Sequence, residues 1–170
     1  QITDNATWAA DATGAYSCFN NDCTTNGATY GMLYNLNAVT NANGICPTGW
    51  HVPTDAEWCT LENTVEAGTD PACNRAAWGG DKTGMRLREA GTTHWYSDNT
   101  CDGVCNESGF TALGASFRYG NTGDFCNALT VVTAFWSTTN IRRYIDHSTK
   151  MILRDADNPA AGNSVRCVKD

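Results

Sequence analysis

The sequence predicts an α+β fold, loop-rich and stapled by disulfides, in which two helices pack on a twisted antiparallel sheet. Helical spacing of apolar residues is confined to residues 54–91, and everything after it consists of short apolar-aromatic runs separated by Gly, Asn and Asp. No β-α-β alternation is present, so a parallel sheet is not expected. The chain has 170 residues, enough for a single domain over 1–170 and too few for two ordinary ones.

Residues 1–27 are rich in Asn, Thr, Asp and Gly and read as an irregular N-terminal segment with one or two short strands nearby, the last over 28–36. The clearest helix follows at 55–67. Thr54, Asp55, Ala56 and Glu57 form a capping box, in which the Thr54 hydroxyl accepts from the Glu57 amide and Glu57 reaches back. Trp58, Leu61 and Val65 then recur on one face, and Gly68 is a natural stop. A second helix is expected over 82–90, with Met85 and Leu87 inward and Gly91 ending it. Strands are expected at 110–113, 116–119, 130–137, 142–146, 151–154 and 164–168. The row Glu57, Glu62 and Glu66 reads as a solvated helix face.

Composition bounds the function. Charged residues make up only 17%, and the net charge of −7 would repel a phosphate backbone, so no nucleic acid partner is expected. No run approaches the roughly 20 apolar residues of a membrane span. The chain begins at Gln1 without Met, which reads as a processing or trimming point with any export signal upstream. None of the nine cysteines forms a Cys-x-x-Cys pair, so disulfides fit better than zinc and imply an oxidising, extracellular or cell-surface location. Short loops suggest Cys18 with Cys23 and Cys101 with Cys105, while Cys59 and Cys73 would tie a helix to the loop after it. Cys46 and Cys167 remain for a long-range bridge, with Cys126 as the odd thiol, although spacing alone does not fix connectivity.

A specific motif runs Cys46-Pro47-Thr48-Gly49-Trp50-His51-Val52-Pro53-Thr54-Asp55-Ala56-Glu57-Trp58. It resembles the signature of the Fibrobacter succinogenes major paralogous domain. Further matches follow in order: Tyr30 to Asn35, Gly109 to Leu113, Phe117-Arg118, Phe135 to Thr139 and Ser164 to Asp170, so the resemblance covers about 28–170. It implies a C-type-lectin-like fold, related in architecture to formylglycine-generating enzyme and to the variable proteins of diversity-generating retroelements. In that fold the two ends of the domain meet in one sheet, which suits a Cys46–Cys167 bridge. The family's usual upstream strand is not evident here, which leaves strand donation by a neighbouring subunit, or self-assembly, as an expectation.

Residues 137–168 contain no Glu, Gln or Trp, one Lys and one Met. Retroelement variable proteins end in a block templated by Asn codons whose adenines are randomised, a process that cannot yield those residue types. The composition fits that restriction except at Lys150 and Met151. Arg143, Ile145, Ile152 and Arg154 match fixed positions of the family pattern. Strand alternation then turns Arg142, Tyr144, Asp146, Met151, Leu153 and Asp155 to the opposite face, with Asn140, His147 and Asp157 in adjoining loops. Tyr, Arg and Met are the residue types enriched at protein-binding surfaces, so these nine residues form the candidate ligand-binding face for a protein or cell-surface partner.

Three other readings are weighed against this. A formylglycine-generating-enzyme-like catalyst would use reactive cysteines, but no base adjoins Cys126 or the Cys101–Cys105 loop in sequence, so no catalytic residue and no enzyme activity is expected. No calcium-lectin motif is present, although Asp98, Asp102 and Glu107 lie in an oxygen-rich loop that is a candidate for structural Ca²⁺, the one cofactor expected at all. A structural or decorating subunit of a surface filament, pilus-like, is the runner-up.

Overall fold

In the computed structural model, which describes residues 1–97 and 101–170, the capping box forms as its sequence dictates. Helix α4 (Asp55–Val65) starts on Thr54, whose hydroxyl accepts from the Glu57 amide at 3.2 Å while Glu57 accepts from the Thr54 amide at 2.8 Å. It stops at Val65, short of the expected residue 67. Glu66 turns to extended backbone and its carboxylate accepts from the Lys82 amide and the Thr83 hydroxyl instead.

Three small helices precede it: α1 (Asn5–Ala10), α2 (Ala28–Tyr30) and α3 (Leu36–Val39). The second predicted helix is α5 (Thr83–Leu87), cut short because Arg88 becomes extended and bridges Ala112. The N-terminal segment is therefore not irregular throughout. Asp4 caps α1, and Trp8 on that helix is fully buried, its indole N–H donating to the Ala160 carbonyl at 2.8 Å. Arg118 fastens the same segment by donating to the Ile2 and Thr3 carbonyls and stacking on Trp8.

Strand pairing is antiparallel in three small sheets. β1 (Tyr16–Ser17) pairs with β2 (Leu33–Tyr34), so the strand expected over 28–36 shrinks to its last part behind α2. β3 (Trp50–His51) pairs with β8 (Val168–Lys169), joining the start of the Cys-Pro-x-Gly-Trp motif to residues 168–169. The main sheet has the order β4 (Trp78–Gly79), β7 (Ile152–Ala156), β6 (Ile141–Asp146), β5 (Val132–Trp136). Residues 110–113 and 116–119 do not form strands. Ala112, Ser116 and Arg118 make isolated bridges, because positive φ at Thr111 and Ser116 breaks the extended run. Of 164–168, only Val168 belongs to a strand, and Ser164 bridges Phe135.

The expected disulfides are all present: Cys18–Cys23, Cys46–Cys167, Cys59–Cys73 and Cys101–Cys105, with Cys126 free. The fold is thus mixed α+β, with few helices, small antiparallel sheets and four disulfides.

The inner face of the main sheet packs on α4. Trp58, Phe135, Ile145 and Ile152 form its apolar core with Leu87 and Trp95. Two inward arginines cross this layer in register, Arg143 opposite Arg154. Glu62, fully buried, accepts from Arg143 Nε and Arg75 Nη2, while Asp55 pairs with both Arg143 and Arg154. The solvated glutamate row is therefore corrected. Glu62 points into the sheet because its carboxylate is the counter-charge that a buried arginine requires. Burial alone would raise the Asp55 carboxyl, but the guanidiniums of Arg154 and Arg143 outweigh it and hold it below the ordinary 3.8.

Candidate functional site

The outer face of the sheet is set by the two-residue alternation of β6 and β7. Arg143, Ile145, Ile152 and Arg154 are buried, so the intervening Arg142, Tyr144, Asp146, Leu153 and Asp155 turn outward and are half-exposed. Met151, just before β7, is 37% exposed. Cross-strand register places Trp78, Leu153 and Tyr144 in one row from the sheet edge inward.

This row is aromatic beyond the sequence expectation. The rings of Trp78 and Tyr144 meet edge-on at 5.9 Å, and Phe117 approaches Tyr144 at 6.2 Å. Tyr119, 42% exposed, stacks edge-on against Phe117 at 5.1 Å and donates its hydroxyl to the free Cys126 sulfur. Trp78, Phe117 and Tyr119 were missed because they come from segments far from 137–168. One signal could have found two of them: alternation along the strand expected over 116–119 puts Phe117 and Tyr119 on one face, opposite Arg118, which is buried.

The polar members are largely engaged with one another. Arg142 forms ion pairs with Asp155 at 2.9 Å and Asp157 at 3.0 Å, and its guanidinium lies over the Tyr144 and Phe117 rings. Burial alone would weaken its charge. The two carboxylates more than offset that, and its pKa lies above the ordinary arginine value. Asp157 also accepts from Asn163, and its amide donates to the carbonyl of the exposed Asn140. Asp146 accepts from the Ser148 amide and hydroxyl, so its carboxylate builds the β6–β7 turn. His147 sits edge-on to the exposed Tyr96 ring at 5.4 Å. Burial, with Asp146 nearby, pushes the Tyr144 phenol up to about 12, so it remains neutral at physiological pH.

The structure thus brings Arg142, Tyr144, Leu153, Asp155 and Asp157 together as one patch. Asp146, His147 and Met151 belong to its turn end, and Asn140 to its other rim. What remains free for contact is a strip of rings and aliphatics, bounded by the Arg142–Asp155–Asp157 cluster.

Two of the three calcium candidates lie among the described residues, and both have cationic partners. Asp102 pairs with Lys150 and Glu107 with Arg86, while Asp98 lies outside the described residues. Among the described residues the group with metal-like spacing is Asp55, Cys59 and Cys73, but the two sulfurs are bonded to each other and Asp55 serves the arginines.

No curated protein matches this chain, and no solved structure does. The family model for the Fibrobacter succinogenes major domain matches residues 1–169, reaching 27 residues further toward the N-terminus than the motif resemblance, and the chain belongs to that family.

Proposed function

We propose that the protein is a non-catalytic, extracellular ligand-binding domain that displays the outer face of β6 and β7 to a protein partner. The observation that carries this reading is the division of labour along the two strands. Inward residues hold α4 through buried charges, whereas the outward Tyr144 and Leu153, with Trp78 and Tyr119, form a part-exposed aromatic strip. Such strips suit protein contact, since aromatic rings bring large area at low entropy cost. A C-type-lectin-like architecture agrees with the β3–β8 pairing and the Cys46–Cys167 bridge, and the four disulfides agree with an oxidising location. The residue types in 137–168 favour a variable protein of the diversity-generating-retroelement kind.

Two display libraries test the reading. Randomising Arg142, Tyr144, Met151, Leu153 and Asp155, with the turn-building Asp146 kept, is expected to leave most members protease-resistant and to yield binders against unrelated protein targets. Randomising Arg143, Ile145, Ile152 and Arg154 should abolish folding. Equal loss of folding in both libraries would make the outer face structural and sink the proposal. At the gene, a nearby near-copy of the codons for 137–168, differing only at adenines, is the expected mark of diversification.

A second reading, a subunit of a surface filament, draws on the one unpaired thiol, Cys126, beside exposed Tyr119. A disulfide-linked oligomer on a non-reducing gel, absent in Cys126→Ser, would favour it.

A further inference from the structure

A second surface feature lies away from the sheet's outer face. A cleft of about 410 Å³ opens between α4, the β3–β8 ribbon and Phe110, with Trp50, Trp58, Leu61, Phe110 and Val168 as its apolar walls. That volume is in the range of small-molecule sites, which are mainly apolar with a few placed polar groups. Two of the walls are large apolar side chains left open to water, Trp50 at 46% and Val168 at 36% exposure.

Three charged side chains line the cleft, and their states differ. Glu57 has partners on both oxygens: one accepts from His51 and the other from the Thr54 amide and hydroxyl. Arg166 stacks over the Phe110 ring at 4.6 Å and makes one long bond of 3.5 Å to the Thr111 carbonyl. Among the described residues it pairs with no carboxylate, and neither does Lys169 beside it. A guanidinium carries five N–H donors in a planar fork. In a protein of net charge −7, the cleft therefore presents unspent cationic donors next to an apolar slot.

We infer that this cleft is a binding site for a small aryl or alkyl carboxylate, whose hydrocarbon body lies between Trp50, Leu61 and Val168 while its carboxylate meets Arg166. Charge complementarity selects this occupant. A neutral hydrocarbon would leave the guanidinium unmet, and a cation would face Arg166 and Lys169 with Glu57 already committed. The stacking on Phe110 holds the guanidinium plane ready, which lowers the cost of ordering it on binding.

The test is calorimetric titration of the full chain with naphthylacetate and with naphthylacetamide, which share a body and differ in charge. The acid is expected to bind about tenfold or more tightly than the amide, as a charge-assisted bond implies. Arg166→Gln should erase that difference in a chain that still unfolds cooperatively, with at most a small drop in melting temperature from the lost Phe110 stacking, and Arg166→Lys should retain part of it. Trp50→Ala should weaken both compounds alike. Equal affinity for acid and amide, no binding of either at about 10 mM, or an acid preference that survives Arg166→Gln would each overturn the assignment.

Discussion

The inward arginines show at single-residue scale how charge specifies this core. A buried ion pair adds little net stability by itself, but removing one partner leaves the other unpaired at a high cost. Glu62→Ala strips Arg143 of its buried carboxylate and Arg75 of a second contact. A loss of about 3–5 kcal/mol is expected, read as a large drop in melting temperature, whereas Glu57→Gln at the exposed start of the same helix should cost far less. Glu62 was illegible in the sequence for a physical reason. Its i+4 neighbour Glu66 and the preceding Glu57 read as a polar helix face, and only the register of a distant strand reveals that Arg143 arrives over it. Arg143 and Arg154 themselves were legible through the family pattern, whose fixed positions they match with Ile145 and Ile152, and alternation then turned Tyr144, Leu153 and Asp155 outward.

At the scale of elements, the capping box of α4 was readable to the atom, since both of its bonds lie within four consecutive residues. The box also reaches outward. His51 on β3 bonds Glu57 through one ring nitrogen at 2.9 Å and Asp170 through the other at 2.7 Å. The hydrogen bond to Asp170, then that to Glu57, raises the His51 pKa above its ordinary 6.5. A group raised on folding contributes stability that is fully present below its unfolded pKa and is lost as pH rises through the folded one. The link between the β3–β8 ribbon and α4 should therefore weaken upward from about pH 6.5, and His51→Gln should remove that dependence. NMR titration of the His51 ring checks it: a midpoint at or below 6.5 would refute the linkage. Elements defined by long-range contacts were harder to read. Residues 110–119 carry strand-like composition, yet positive φ at Thr111 and Ser116 divides them into single bridges.

Across the whole molecule, cross-links join parts that sheets alone connect weakly, for β3–β8 and β1–β2 have two residues a side. Cysteine spacing conveyed the short-range pairings because short loops restrict the choice, but it left Cys46, Cys126 and Cys167 over, and the family resemblance, in which the two ends of the domain meet, favoured Cys46–Cys167. Alkylation of the chain unfolded without reductant should label one thiol, Cys126, and reduction should expose eight more, two for each bridge. Cys46–Cys167 closes a separation of 121 residues, so its removal should cost more than that of any other bridge, about 4–5 kcal/mol by loop-closure entropy; denaturant midpoints of the four double-serine variants rank them. The Arg143–Arg154 register has a further consequence, one for folding. Two like charges directly opposite each other repel, a cost within the β6–β7 hairpin that the adjacent opposite-charge pair Arg142–Asp155 works against. The carboxylates of Asp55 and Glu62 meet those arginines from α4, so helix docking and hairpin closure are expected to be coupled. The strip on the outer face is therefore tied to the core beneath it, because the same two strands carry both the outward rings and the arginines that α4 neutralises.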